Sequence, residues 1–77
     1  MTRELDRAFE MQEKISRSGL AVEIFFLNSG WHARIFVPKD DTTIGLGLEQ
    51  LSKEFAIADA IDDAERRFPG RFMHLRR

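Results

Sequence analysis

Residues 20–37, LAVEIFFLNSGWHARIFV, read as two β-strands and the turn that joins them. Leu20, Val22, Ile24 and Phe26 alternate with Ala21, Glu23, Phe25 and Leu27; Trp31, Ala33, Ile35 and Val37 alternate with His32, Arg34 and Phe36. A period of two in β-branched and aromatic residues is a strand signal. Asn28-Ser29-Gly30 is turn chemistry, with Gly30 the residue that takes positive φ at no Cβ penalty. With Ser29-Gly30 as a two-residue turn, Phe26 opposes Ala33, Ile24 opposes Ile35 and Val22 opposes Val37, and one face is wholly apolar. A three-residue loop without a bulge slips the pairing by one and carries His32 and Arg34 onto that face. Burial therefore selects the two-residue turn, or a four-residue variant in the same register.

The opposite face carries Ala21, Glu23, Phe25, Leu27, His32, Arg34 and Phe36. Phe25, Leu27 and Phe36 form an apolar patch rimmed by Glu23, Arg34 and His32. This mixed face is the expected binding surface, since contiguous exposed apolar surface marks an interaction.

On the N-terminal side, residues 3–18 read as an amphipathic helix with Leu5, Ala8, Phe9, Gln12 and Ile15 on one side and Thr2 as its N-cap. Gly19 followed by Leu20 has the form of a Schellman ending, with Leu20 touching Ile15. On the C-terminal side, Pro38 ends the ladder and Asp40-Asp41 is turn-like. Residues 42–46 read as a short third strand or a loop, two glycines weakening the strand pattern. Residues 48–67 read as a second helix, with Leu48, Leu51, Phe55, Ala58, Ile61, Ala64 and Phe68 as its stripe and a start between Gly47 and Ser52. Pro69 ends it near Arg67. The tail, residues 70–77, is too apolar to be solvated throughout and is expected to form an edge strand or to dock on the sheet or on a second subunit.

Two helices with one apolar stripe each, and a hairpin with one apolar face, combine most economically as an α+β two-layer sandwich of order α-β-β-(β)-α. Seventy-seven residues make a single small domain, marginal on its own core, and small domains without staples often oligomerise. With no cysteine there is neither a disulfide nor a Cys-based zinc site. No apolar run reaches the length of a membrane span, and the charged N-terminal segment is unlike a signal peptide, so the expected location is the cytoplasm.

The net charge of −1 conceals segregation: residues 39–65 carry −6 and residues 66–77 carry +5. His32 and His74 have no companion at metal-ligand spacing, so neither a metal nor a catalytic site is expected. Glu49, Glu54, Asp59, Asp62, Asp63 and Glu65 form an acidic surface, expected to be a solvated helix face opposite the apolar stripe. Gly45-Leu46-Gly47 matches neither the dinucleotide fingerprint nor the P-loop, and no cofactor is expected.

The α-β-β-β-α order resembles the double-stranded-RNA-binding fold, although Leu48-Glu49-Gln50 stands where that family carries a lysine cluster. It also resembles the layout of the small HicA-type mRNA-cleaving toxins. Their hairpin has Gly-Ser-His, where this chain has Ser29-Gly30-Trp31-His32, and such toxins are basic. The likeness covers the layout and one histidine, and does not make the chain a member of either family.

The expectation is a non-enzymatic domain that binds a partner protein or itself, as a homodimer, through Phe25, Leu27, His32, Arg34 and Phe36. It would be an accessory protein of a bacterium or phage. Besides an enzyme that uses His32, two rivals stand beside it. In one, the acidic surface occupies a partner's nucleic-acid groove as a decoy. In the other, the aromatic face and the Arg-rich tail bind single-stranded nucleic acid.

Overall fold

A computed structural model describes residues 3–76, with side chains over 7–75. The element order is α1 (Arg3–Arg17), β1 (Ala21–Leu27), β2 (Gly30–Val37), β3 (Thr42–Gln50), α2 (Lys53–Arg67) and a 3-10 helix (Met73–Arg76). The strands form one antiparallel sheet in the order β1-β2-β3, and the helices lie on a single face of it. The expected α+β sandwich is thus the observed one, with the third strand longer than anticipated. No helix among the described residues is long and apolar enough to cross a membrane. The proposed N-cap, Thr2, and the side chain of Leu5 lie outside the described residues.

The hairpin turns one residue earlier than the sequence suggests, which moves every cross-strand partner by two. Asn28 and Ser29, at φ 53° and 65°, occupy the turn, and Leu27 pairs with Gly30. Positive φ at both central positions is the type I′ geometry whose twist matches that of the flanking strands. Gly30 is therefore a strand residue without positive φ; a Cβ there would lie 2.7 Å from the Glu49 Cα. Phe26 consequently opposes Trp31, Ile24 opposes Ala33 and Val22 opposes Ile35. The displacement is by two residues, so each side chain keeps the face assigned to it.

α1 ends as its sequence implies: the Leu20 amide donates to the Ile15 carbonyl (3.2 Å), the Gly19 amide donates to that of Ser16 (3.0 Å), and Gly19 sits at φ 79°. Its stripe differs from the expectation, because Ala8, Met11 and Ile15 face the core while Phe9 is 61% exposed.

The second helix departs further. Residues 48–50 belong to β3, and α2 begins after Ser52, whose hydroxyl accepts from the Phe55 amide (3.2 Å). Ser52→Ala removes this cap and should lower stability by about 1 kcal/mol, read as a shift in the urea midpoint at constant slope. The buried stripe of α2 is Ala56, Ile57, Ala60, Ile61 and Ala64, whereas Leu48, Leu51 and Phe55 are exposed. Backbone packing sets this rotation. Gly45 and Gly47 lie on the helix side of β3, where a Cβ would meet the Ala60 carbonyl oxygen at 2.2 Å and the Ala56 carbonyl oxygen at 2.0 Å. Helix backbone rests on strand backbone there, and only small residues fit between.

The described part of the tail, residues 70–76, neither joins the sheet nor covers its free face. Leu75 is fully buried in the core cluster, and His74 Nε2 lies 2.8 Å from Ser18 Oγ at the end of α1. The Ser18 hydroxyl donates its one proton to the Lys14 carbonyl, so the histidine nitrogen carries the hydrogen of this pair.

Candidate interaction surface

The sheet face away from the helices is built by cross-strand neighbours. Pairing sets Phe25 beside His32, Glu23 beside Arg34 and Ala21 beside Phe36, while β3 adds Leu46 next to Arg34 and Thr43 next to Phe36. Two register shifts in β3 accommodate this. One, between Ile35 and Phe36, lets Ile44 turn into the core; the other, between Trp31 and Ala33, contains Glu49 at φ 50°.

The five residues singled out from the sequence share this face but do not present it equally. His32 is 8% exposed, a buried residue of the central strand rather than a rim residue. Its ring stacks on Phe25 (centroids 5.2 Å apart, planes 5° apart), and its Nε2 lies 3.2 Å from the Leu27 carbonyl, to which it donates. Both contacts are structural. Phe36 is half-buried beneath Arg34, whose guanidinium carbon stands 4.1 Å above the ring.

Arg34 is engaged at all three of its side-chain nitrogens. Nε bonds Glu23 (3.2 Å), Nη2 bonds Asp41 (2.8 Å) and Nη1 bonds the Thr43 hydroxyl (3.1 Å). The hydrogen bond to Asp41, with further support from Glu23, raises its pKa and holds it charged. Phe25 and Leu27, at 39% and 51%, remain accessible.

Leu48, at 54%, completes the accessible apolar part. Two residues beyond Leu46, it lies on the same face. Sequence reasoning missed it because its spacing to Leu51 and Phe55 also fits a helical stripe.

The acidic residues are placed differently from a solvated helix face. Asp59 Oδ2 accepts from the Leu48 amide (3.1 Å) and from Gln50 Nε2 (3.3 Å), and Asp63 Oδ2 accepts from the Leu46 amide (2.9 Å). Asp63 also pairs with Arg66 (3.1 Å) and Arg67 (2.9 Å), so the acidic and basic blocks of the chain neutralise each other here. Glu54 pairs with Arg7 (2.9 Å), and Glu65 accepts from the Gly70 amide (2.8 Å). Asp62 is partly buried, while Glu49 is exposed on the β3 bulge.

A second apolar surface lies on the helix side, near the hairpin tip. A groove of about 250 Å³ is lined by Ala8, Phe9, Gln12, Ile24, Trp31 and Lys53. Phe26 packs edge-on against Trp31 (5.1 Å), and the Lys53 ammonium lies 5.1 Å from the centre of the indole. Phe26 is nonetheless 59% exposed, because α1 covers the end of β1 incompletely. Among the described residues no group of three or more His, Cys, Asp or Glu could hold a metal ion. No protein-family model matches the chain, and no curated protein or solved structure matches it either.

Proposed function

We propose that this chain is a non-enzymatic interaction module that binds a partner protein through the open sheet face, around Phe25, Leu27 and Leu48. The observation that carries the reading is the state of Arg34. Each nitrogen of its guanidinium is held, by two carboxylates and a hydroxyl, while the apolar side chains beside it stay accessible. An apolar centre with a rim of internally neutralised charge has the anatomy of a protein interface. Phosphate recognition needs uncompensated cations, and Arg34 on this face is compensated by Glu23 and Asp41. The small size and segregated charge suit an accessory protein of a bacterium or phage, acting in the cytoplasm.

The test compares wild type with Leu48→Asp in affinity capture from the source cells, beside titration of both with labelled single-stranded RNA at low and high salt. The expected result is a protein retained by wild type and bound at least about tenfold more weakly by Leu48→Asp, a loss of about 1.4 kcal/mol. RNA affinity that falls steeply with salt would instead support the nucleic-acid reading. Capture that survives Leu48→Asp but is abolished by Glu49→Lys with Asp62→Lys would support the acidic-decoy reading.

A further inference from the structure

The two edges of the sheet are finished in opposite ways. On β3, the outward amides of Leu46 and Leu48 are occupied by Asp63 and Asp59 of α2, and two register shifts interrupt the strand. On β1, no strand lies outside. Leu27 and Gly30 flank the two-residue turn and exchange both backbone bonds. Alternation along an antiparallel ladder then directs the N–H and C=O groups of Val22, Ile24 and Phe26 away from β2. Among the described residues nothing caps these groups.

The devices that usually protect an edge are missing here. β1 has seven residues in unbroken register, no proline and one charge, Glu23, already paired with Arg34 (3.2 Å). Its exposed side chains include Phe25, Phe26 and Leu27, with Phe9 lining the adjacent groove beside Ile24.

We propose that β1 is the self-pairing edge of a two-fold homodimer, in which the β1 strands of two copies run antiparallel and join both sheets into one of six strands. A second copy fits because the strand is its own complement. A two-fold axis at Ile24 pairs Ile24 with its counterpart and Val22 with Phe26 of the other copy. Every outward donor then meets an outward acceptor, giving six main-chain hydrogen bonds. Glu23 comes opposite Phe25 of the other copy and keeps its own arginine, so no like charges face each other.

The area is sufficient. Taking an aromatic side chain as about 200 Å², the exposed parts of Phe9, Phe25 and Phe26 amount to roughly 300 Å² per protomer. Leu27 and seven residues of strand backbone bring the total for two protomers near the ~1,200 Å² of a specific interface. The proposal does not rest on the partner-binding reading; the dimer would draw on Phe25 and Leu27 of the open face and leave Leu48, on β3, outside the contact.

The test is light scattering over a concentration series, with amide exchange followed residue by residue, on wild type, Phe26→Pro, Phe26→Lys and Leu48→Asp. Proline at position 26 removes an outward N–H and no bond of the hairpin ladder, so the fold should persist by circular dichroism. Wild type should reach twice the 9.0 kDa of the chain, with the Val22, Ile24 and Phe26 amides protected only where the dimer is populated. Phe26→Pro should raise the dimer dissociation constant about 100-fold, since the substitution counts twice in a two-fold interface at about tenfold per lost bond. Phe26→Lys, which keeps the backbone donor, should weaken it in the same direction.

Leu48→Asp should leave the dimer intact even if it abolishes partner capture, so that the two proposals fail separately. A monomeric wild type at the highest concentration would overturn the inference. So would a dimer whose Val22, Ile24 and Phe26 amides exchange freely, or one that Leu48→Asp dissociates and Phe26→Pro does not.

Discussion

Gly47→Ala should lower stability by about 3 kcal/mol or more, and Gly47→Val should leave no folded population at room temperature. A Cβ at this position would stand 2.0 Å from the Ala56 carbonyl oxygen and 2.9 Å from the Ala60 nitrogen. Both obstacles are backbone atoms of α2, so no rotamer change relieves the overlap, and the helix must lift by an ångström or more. Lifting it stretches the bonds from Asp59 and Asp63 to the β3 amides and opens gaps beside Ala56, Ala60 and Ala64, all fully buried.

A domain of this size has a total stability of about 4–12 kcal/mol, so the loss is a large fraction of it. Urea titration of Gly47→Ala and Gly45→Ala against Gly70→Ala reads the effect. Gly70 sits at φ 82° with open space around it, so its alanine variant should cost only about 1 kcal/mol. Equal losses at positions 47 and 70 would show that α2 is free to move away from the sheet.

Asp63→Ala should cost about 2–3 kcal/mol, and the Asp59→Ala/Asp63→Ala double variant should also aggregate with rising concentration. Asp63 serves the part-buried Leu46 amide and two arginines, so its removal leaves a donor unpaired and takes from Arg66 and Arg67 the carboxylate they share. Asp59 serves the more exposed Leu48 amide and should cost about 1 kcal/mol alone. Together they close the β3 edge. Residues four apart on a helix rise about 6 Å, close to the ~6.7 Å between alternate residues of a strand, so Asp59 and Asp63 reach the amides of Leu48 and Leu46 in turn. Denaturant midpoints for each single variant, with static light scattering of the double variant, check this. A double variant that stays monodisperse would show that the β3 edge needs no carboxylate cover.

The hairpin was legible because its signals agree. Alternation over residues 20–27 and 31–37 sets the faces, and parity preserves them even though the turn falls on Asn28-Ser29 rather than Ser29-Gly30. The turn itself was misread because Gly30 is the obvious positive-φ residue. Its actual constraint is the approach of Glu49 from β3, a contact between residues distant in sequence.

The third strand and the start of α2 were ambiguous for a related reason. Leu48, Leu51 and Phe55 satisfy helical spacing, while Gly45 and Gly47 read as breakers. In the fold those glycines are strand residues kept small by the backbone of α2.

The candidate face shows the same division. Phe25, Leu27, His32, Arg34 and Phe36 were correctly grouped, since side-chain parity follows from local sequence. Their exposure was not legible, because it depends on neighbours: Arg34 lies over Phe36, Phe25 stacks on His32, and Leu48 enters from a strand taken for a helix. The acidic residues of α2 carry the sharpest case. Their i, i+4 spacing was visible, but its target, a row of strand amides, exists only once β3 and α2 pack antiparallel.

Local patterning by itself determined the α+β class, the hairpin faces and the glycine-terminated first helix, because alternation, capping and backbone preference act within a few residues. Tertiary structure alone decided which stripe of α2 is buried, why the tail docks on the helices, and which sheet edge is sealed. Each of those is settled by a contact between segments distant in sequence: Gly47 against Ala56, Leu75 in the core, Asp63 on Leu46. Close packing and the satisfaction of backbone hydrogen bonds choose among arrangements that hydrophobic periodicity leaves equal.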